Sequence, residues 1–329
     1  MKAIVITRPG GPEVLETQDR PKPEPGVGQI RVRVRASALN RADLMQREGN
    51  YPVPPGAPAD ISGMEYAGEV DALGQSATLW NVRDRVMGII GGAGHAEYLC
   101  VHEREAIPVP RGLSWEEAAA IPEAFLTAYD ALFRQLDLRM GETVLIHAVA
   151  SGVGTAALQL ARAAGARGVG TSRSADKLER VKEMGLDLAI DVSSGSWVEK
   201  ISAAIGNEKV NAILDLVGGA YLDGNLRVLA QRGRMIVVGL TSGSRAQLDM
   251  GLILRKRLTM IGTVLRARAL EEKIALARDV SEKLIPLFDA GKLRPVVDRV
   301  FSFSEIRKAH ELMESNKTFG KIVLSWGPQ

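Results

Sequence analysis

Between Gln29 and Arg35 apolar and charged residues alternate without a break. Ile30, Val32 and Val34 point one way, and Arg31, Arg33 and Arg35 the other. This predicts a half-buried strand with its arginine row turned to solvent. Ala3–Thr7 alternates more loosely and stops at Pro9-Gly10-Gly11-Pro12. Further short strands are predicted around Gly63–Val70, Asp84–Gly88 and His95–Val101, and glycine turns at that spacing suggest a small barrel-like β domain. Asn40–Met45 reads as a short helix behind an Asn cap, and the prolines of Gly49–Pro58 make a stiff, extended loop. Ser114-Trp115-Glu116-Glu117 has the form of a capping box. Its helix is predicted to end or kink at Pro122, with the next opening at Phe125.

Beyond that point the period changes. Short apolar runs predict strands at Thr143–Ala148, Gly168–Thr171, Leu188–Asp191, Val210–Leu216, Arg234–Gly239 and Leu258–Val264. Helical spacing lies between them, as a doubly wound parallel sheet requires. Leu270–Ala290 reads as one long helix, Val296–Phe303 as a strand, Ser304–Met313 as a helix and Lys321–Ser325 as a last strand. The expected division is an α/β chain with a first domain over 1–122 and 267–329 and an inserted Rossmann domain over 123–266.

The first inserted strand breaks at Ser151-Gly152-Val153-Gly154, and a helical pattern follows through Ala157, Leu158, Leu160 and Ala161. Strand, glycine turn and helix form the phosphate-binding start of a βαβ unit. Gly152 and Gly154 let the backbone approach a pyrophosphate, and the helix start offers N–H groups and its positive dipole end. The second strand of an NAD site usually ends in an acid. Here it ends in Gly170-Thr171-Ser172-Arg173-Ser174, with Lys177 beyond. A ribose 2′-phosphate favours cations and hydroxyl donors, so NADPH is expected, clamped by Ser172, Arg173 and Lys177. A solvated helix charge is the plainer reading of Lys177. Val217, Gly239 and Leu240 fall at later strand ends and Leu265 just past the sixth strand, and all four are further cofactor candidates.

Composition narrows the function classes. The 46% apolar and 25% charged content is that of a soluble globular protein, and a net charge of +3 over 329 residues does not point to nucleic acid. A lone Cys100 excludes an intrachain disulfide and suggests a reducing compartment, so a cytoplasmic location is expected. No apolar segment is long enough to predict a membrane span.

Several stretches together resemble the medium-chain dehydrogenase/reductase superfamily: Leu39-Asn40-Arg41-Ala42-Asp43, Tyr51-Pro52, Glu65-Tyr66-Ala67-Gly68, Ala119-Ala120-Ile121-Pro122-Glu123, Ser151–Thr155, Val264–Arg268 and Phe319–Val323. The resemblance is greatest to the zinc-free quinone oxidoreductases of the zeta-crystallin type, within their tumour-suppressor-inducible subgroup. It implies a GroES-like β-rich catalytic domain, a Rossmann domain and a cleft between them. It also implies NADPH, a homodimer or homotetramer built through the Rossmann sheets, and Asn40, Tyr51 and Thr127 near the nicotinamide. One departure is Val192, which stands where the subgroup has a tyrosine near the adenosine phosphate.

No metal site is expected. Met64 precedes Glu65 where the superfamily's zinc enzymes carry histidine, and His95, His102, His147 and His310 lack ligand spacing, reading as surface or strand residues. Glu65 is expected to be an internal charge paired with an arginine. For catalysis, Tyr51 is the expected phenol donor to a substrate carbonyl oxygen, Asn40 a second polar group and Ser151 a hydroxyl contact. The plainer readings are a turn-packing ring, a helix cap and a loop serine. Reduction of a quinone, reduction of an enone or enoyl thioester, and non-enzymatic NADPH binding of a crystallin-like or RNA-binding kind all remain open. The last lacks an aromatic and basic RNA platform in this chain.

Overall fold

The computed structural model describes residues 1–327. The chain forms two compact units, Met1–Leu126 with Leu265–Gln329, and Thr127–Val264.

In the first unit, a seven-stranded sheet runs in the order Val297–Ser302, Lys321–Ser325, Gln29–Ala38, Glu65–Leu73, Arg85–Ile89 and Ile107–Pro108, with Tyr98–His102 also paired to Gln29–Ala38. Lys2–Ile6 and Leu15–Asp19 form a separate antiparallel pair. The alternation at 29–35 does what it predicts. Ile30, Val32 and Val34 enter a core with Tyr66, Val86 and Leu99. On the other face Arg31 meets Asp71 at 2.7 Å and Arg35 meets Glu69 at 2.7 Å, while Arg33 stays exposed. Lys321–Ser325 lies antiparallel to Gln29–Ala38, bringing the chain's last strand against Asn40 and its neighbours.

Two helix boundaries differ from expectation. The Ser114-capped helix ends at Ala119, shortly before Pro122, but the next opens at Pro122 itself rather than at Phe125, because the missing N–H of a proline costs nothing at a helix start. The stretch from Leu270 to Ala290 is two helices, Leu270–Lys283 and Ile285–Asp289, because Pro286 cannot donate back to the preceding turn.

The second unit holds a six-stranded parallel sheet. Its order is Leu188–Asp191, Arg167–Ser172, Thr143–Ile146, Val210–Asp215, Leu229–Val237 and Thr259–Gly262. The order reverses between Thr143–Ile146 and Val210–Asp215, the switch point where open α/β sheets bind ligands. Leu145, Val169, Ile190, Ile213 and Met235 fill the core on one side. The strand expected to run to Ala148 stops at Ile146, because Ala148 is left-handed (φ 49°) and already turns the chain. Among the described residues no helix is long and apolar enough to cross a membrane.

Candidate functional site

In the second unit, Ser151 is extended and its Oγ accepts from Gly154 N–H at 3.1 Å, capping the Gly152–Ala163 helix. The serine hydroxyl therefore has a structural task and keeps its proton to donate. No acid lies in the helix's first turn. A Cβ at Gly154 would stand 2.5 Å from Ala148 O and 2.6 Å from Val149 O, so only glycine fits. The backbone N–H groups here suit the pyrophosphate of a dinucleotide.

The next strand end completes that edge. Ser172 Oγ accepts from Ser174 N–H at 3.2 Å, and Ser174 caps the helix Ala175–Glu183. Ser172, exposed Arg173 and half-buried Lys177 thus share one turn and helix start. Asp176 lies in the helix's first turn. Val192, where the resemblance lacks its tyrosine, packs against the sheet core.

Val217, Gly239 and Leu240 are brought together by two neighbouring loops. Val217 N–H donates to Asp215 Oδ1 at 2.8 Å, and Val238 N–H donates to Asp215 O at 2.9 Å. A Cβ on Gly239 would stand 2.7 Å from Leu216 O. Thr127 belongs to this unit, and its Oγ1 is buried with no partner among the described residues. An orphaned hydroxyl of this kind fits a ligand amide or hydroxyl. Leu265 is buried in the first unit.

Beneath the loops runs a buried polar chain that the sequence reading does not anticipate. Thr171 Oγ1 lies 2.9 Å from His147 Nδ1, and His147 Nε2 lies 2.7 Å from Asn225 Oδ1. Asn225 Nδ2 donates to Asp215 Oδ2 at 2.9 Å. Since Asn225 presents its oxygen, His147 donates from Nε2 and accepts the threonine proton at Nδ1. Burial lowers its pKa and keeps the ring neutral. Surface or strand roles do not hold for three of the four histidines. His95, His147 and His310 are buried: His95 in a turn, His147 just past a strand and His310 on a helix.

In the first unit a second polar cluster forms. Asn40 opens the Arg41–Arg47 helix, and its N–H donates to Asp43 Oδ2 at 2.8 Å. Its side-chain amide donates to Glu65 Oε1 at 2.8 Å and accepts from Lys321 Nζ at 2.5 Å. The expected arginine partner of Glu65 is in fact Lys321, at 2.6 Å. Glu65 Oε2 accepts from Glu123 N–H at 2.8 Å. The ammonium spreads its three donors over Glu65, Asn40 and Leu39 O.

Tyr51 is half-buried on the proline-rich loop, with the Arg266 guanidinium 5.3 Å from its ring centroid. Arg266 is held by Gly91 O at 2.8 Å and Gln46 Oε1 at 2.7 Å. Burial, Glu123 and Asp43 raise the Tyr51 phenol above its usual range, and Arg266 pulls it back. The phenol is therefore protonated at neutral pH, as a proton donor must be. Burial and then Glu65 push the Glu123 carboxyl up to about 7. Glu123, Arg266 and Lys321 all lie in stretches of sequence noted above, yet none shows its role there, because the partners sit far away in the chain. Among the described residues no group of three or more His, Cys, Asp or Glu could hold a metal ion.

Comparison with known proteins agrees with both units. The family described as "Alcohol dehydrogenase GroES-like domain" matches residues 26–111, and "Zinc-binding dehydrogenase" matches residues 152–281. A quinone oxidoreductase of Pseudomonas aeruginosa is 33% identical over 98% of this chain and 99% of its own length. The structure of Escherichia coli quinone oxidoreductase complexed with NADPH superposes with a TM-score of 0.88 at 28% identity, covering 99% of this chain and 100% of that one. The CurK enoyl reductase gives a TM-score of 0.87 at 27% identity over 98% of both chains. The glycine turn, the switch-point sheet and these full-length likenesses place the chain in the medium-chain dehydrogenase/reductase superfamily, as an oxidoreductase with quinone oxidoreductases among its relatives.

Proposed function

We propose that this oxidoreductase is an NADPH-dependent quinone reductase of the zinc-free, zeta-crystallin type. The observation that carries the nucleotide choice is the second strand end, where Ser172 and Arg173 stand in place of an acid, with Lys177 opening the next helix. The NADPH complex of the Escherichia coli relative supports it. Bound NADPH supplies a hydride. The protein's residues bind the nucleotide, orient the acceptor and handle the proton. The Gly152–Ala163 helix start takes the pyrophosphate, and Arg173 and Lys177 take the 2′-phosphate. Tyr51 donates its phenolic hydrogen bond to the acceptor's carbonyl oxygen as negative charge grows there. Asn40 and Ser151 are the remaining polar groups we assign to the site, and Asn40 is oriented by Glu65 and Lys321.

A second reading is reduction of α,β-unsaturated carbonyls or enoyl thioesters, which the likeness to CurK enoyl reductase favours. Tyr51 would serve the same carbonyl oxygen. Oxidation of NADPH, with NADH in parallel, over a series of quinones, alkenals and enoyl thioesters separates the two. Preference for quinones with NADPH is expected. Turnover restricted to enoyl thioesters, or a preference for NADH, overturns the first reading.

We also propose a homodimer formed through the second unit. Thr259–Gly262 is an edge strand of the parallel sheet, and Met250, Leu254, Met260 and Val264 are exposed apolar side chains in the same unit. Sedimentation of the wild type against Met260→Lys tests it. A monomer in both would remove the proposal.

A further inference from the structure

Asp215 is the last residue of the strand Val210–Asp215, and two loops of the second unit converge on it. Its Oδ1 accepts from Val217 N–H at 2.8 Å and Gly218 N–H at 2.9 Å. Its Oδ2 accepts from Asn225 Nδ2, on the helix Leu222–Val228, at 2.9 Å. Its backbone oxygen accepts from Val238 N–H at 2.9 Å and Gly239 N–H at 3.3 Å. The two loops also bind each other: Ser242 N–H donates to Val217 O at 2.8 Å, and Gly219 N–H donates to Gly243 O at 2.9 Å. The turn has no slack. Gly218 has φ 90°, and a Cβ there would stand 3.0 Å from both Gly239 O and Gly243 O.

A carboxylate that takes N–H donors on both oxygens is an acceptor only. Asn225, His147 and Thr171 can each reverse, by an amide flip, a change of tautomer or a turn of the hydroxyl. Asp215 therefore sets the direction of every bond in the buried chain. Asn225 donates to Asp215, His147 Nε2 donates to Asn225, and Thr171 donates to His147 Nδ1.

We propose that Asp215 is a positioning residue for the coenzyme, holding the Val217–Gly218 turn and the Gly239–Leu240 loop in the shape that receives it. This rests on the nucleotide-binding reading above, in which Val217, Gly239 and Leu240 are candidate contacts. The carboxylate does not touch the nucleotide: the residue is 1% exposed, and both oxygens are spent on protein donors. It acts through the loop amides, which without an acceptor would turn to solvent and carry the loop with them. Its effect falls on the part of the coenzyme that NADPH and NADH share, because the 2′-phosphate is assigned to Ser172, Arg173 and Lys177 on a different turn.

The test compares Asp215→Ala with Asp215→Asn. Asp215→Ala removes the acceptor of both loop amides. Calorimetric titration of the folded variant should give a Kd about tenfold higher for NADPH and for NADH alike. Asp215→Asn keeps an oxygen for Val217 and Gly218, and its new amide hydrogens reverse the chain. Asn225 flips, and the His147 proton moves from Nε2 to Nδ1. Both coenzymes should then bind within about twofold of wild type. Ring 15N NMR of His147 should find the proton on Nε2 in wild type and on Nδ1 in Asp215→Asn. A wild-type Kd in Asp215→Ala, whatever its Tm, would mark a merely structural role and overturn the proposal. So would a loss confined to NADPH, an equal loss in Asp215→Asn, or a ring proton that does not move. Should Asp215→Ala fail to fold, Asp215→Ser, whose side chain stops short of the loop amides, takes its place with the same expectation. Failure of both to fold would mean that the carboxylate holds the sheet rather than the loops, and overturns the role. If the wild type binds neither coenzyme, the nucleotide reading fails by itself. The positioning is then judged by amide hydrogen exchange at Val217 and Gly218, which should quicken in Asp215→Ala and not in Asp215→Asn. Equal exchange in the two variants overturns it as well.

Discussion

Lys321 Nζ lies 2.6 Å from Glu65 Oε1, and both side chains are buried although 256 positions separate them in the chain. The ammonium spends its other hydrogens on Leu39 O and Asn40 Oδ1. Removing one partner would strand the other charge in the interior. Lys321→Met should cost about 3–5 kcal/mol in urea unfolding, and Lys321→Met with Glu65→Leu should recover part of it. A single variant as stable as wild type would show that the pair is not the anchor of the Asn40 turn.

Tyr51→Phe keeps the ring against Arg266 and removes only the hydroxyl. A fall in kcat of roughly a hundredfold, with NADPH affinity within about twofold of wild type, is expected for a lost proton donor. Steady-state kinetics and NADPH fluorescence titration measure the two quantities. An unchanged kcat removes Tyr51 from the chemistry.

Arg173→Ala and Lys177→Ala should each weaken NADPH about tenfold while leaving NADH nearly unchanged, because only the former carries the 2′-phosphate. Calorimetric titration with both nucleotides is the direct check. Equal losses would move the phosphate site elsewhere.

Gly154→Ala brings a methyl group within 2.5 Å of Ala148 O, a backbone atom that cannot swing aside. The turn must open, with a stability loss of about 2 kcal/mol and a collapse of nucleotide affinity. Thermal melts with and without NADPH show both effects, and a normal ligand-induced rise in Tm would refute the second.

Stability should also follow the Glu123 carboxyl. Its folded pKa of about 7 stands above the ordinary glutamate value, so the folded state binds the extra proton. That contribution is complete in mild acid and is lost as pH rises through 7. Glu123→Gln should therefore gain about 2 kcal/mol over wild type at pH 8 and little at pH 4.5. A pH-independent difference would contradict this assignment.

Much of this architecture is written in local pattern. Val144, Leu145 and Ile146 form an apolar run that can only be an inner strand, and the sheet uses it so. The arginine row at 31–35 reads outward and is outward. Ser151 to Gly154 shows itself because glycine spacing and capping are properties of adjacent residues. What local pattern does not carry is pairing at a distance. Glu65 signals a buried charge without naming Lys321, and His147 gives no sign of Asn225, 78 positions later. Pro286 is visible as a breaker, yet the apolar residues on both sides continue the helical period and hide the break at Leu284.

The chain of bonds from Thr171 through His147 and Asn225 to Asp215 ties the ends of three parallel strands together, while Arg173 stands outside it in solvent. On the proposed assignment of Arg173 to the 2′-phosphate, scaffold and selector would be separate parts. Substitutions at Arg173 would then redirect coenzyme choice without disturbing the frame, leaving that choice free to drift faster than the fold beneath it.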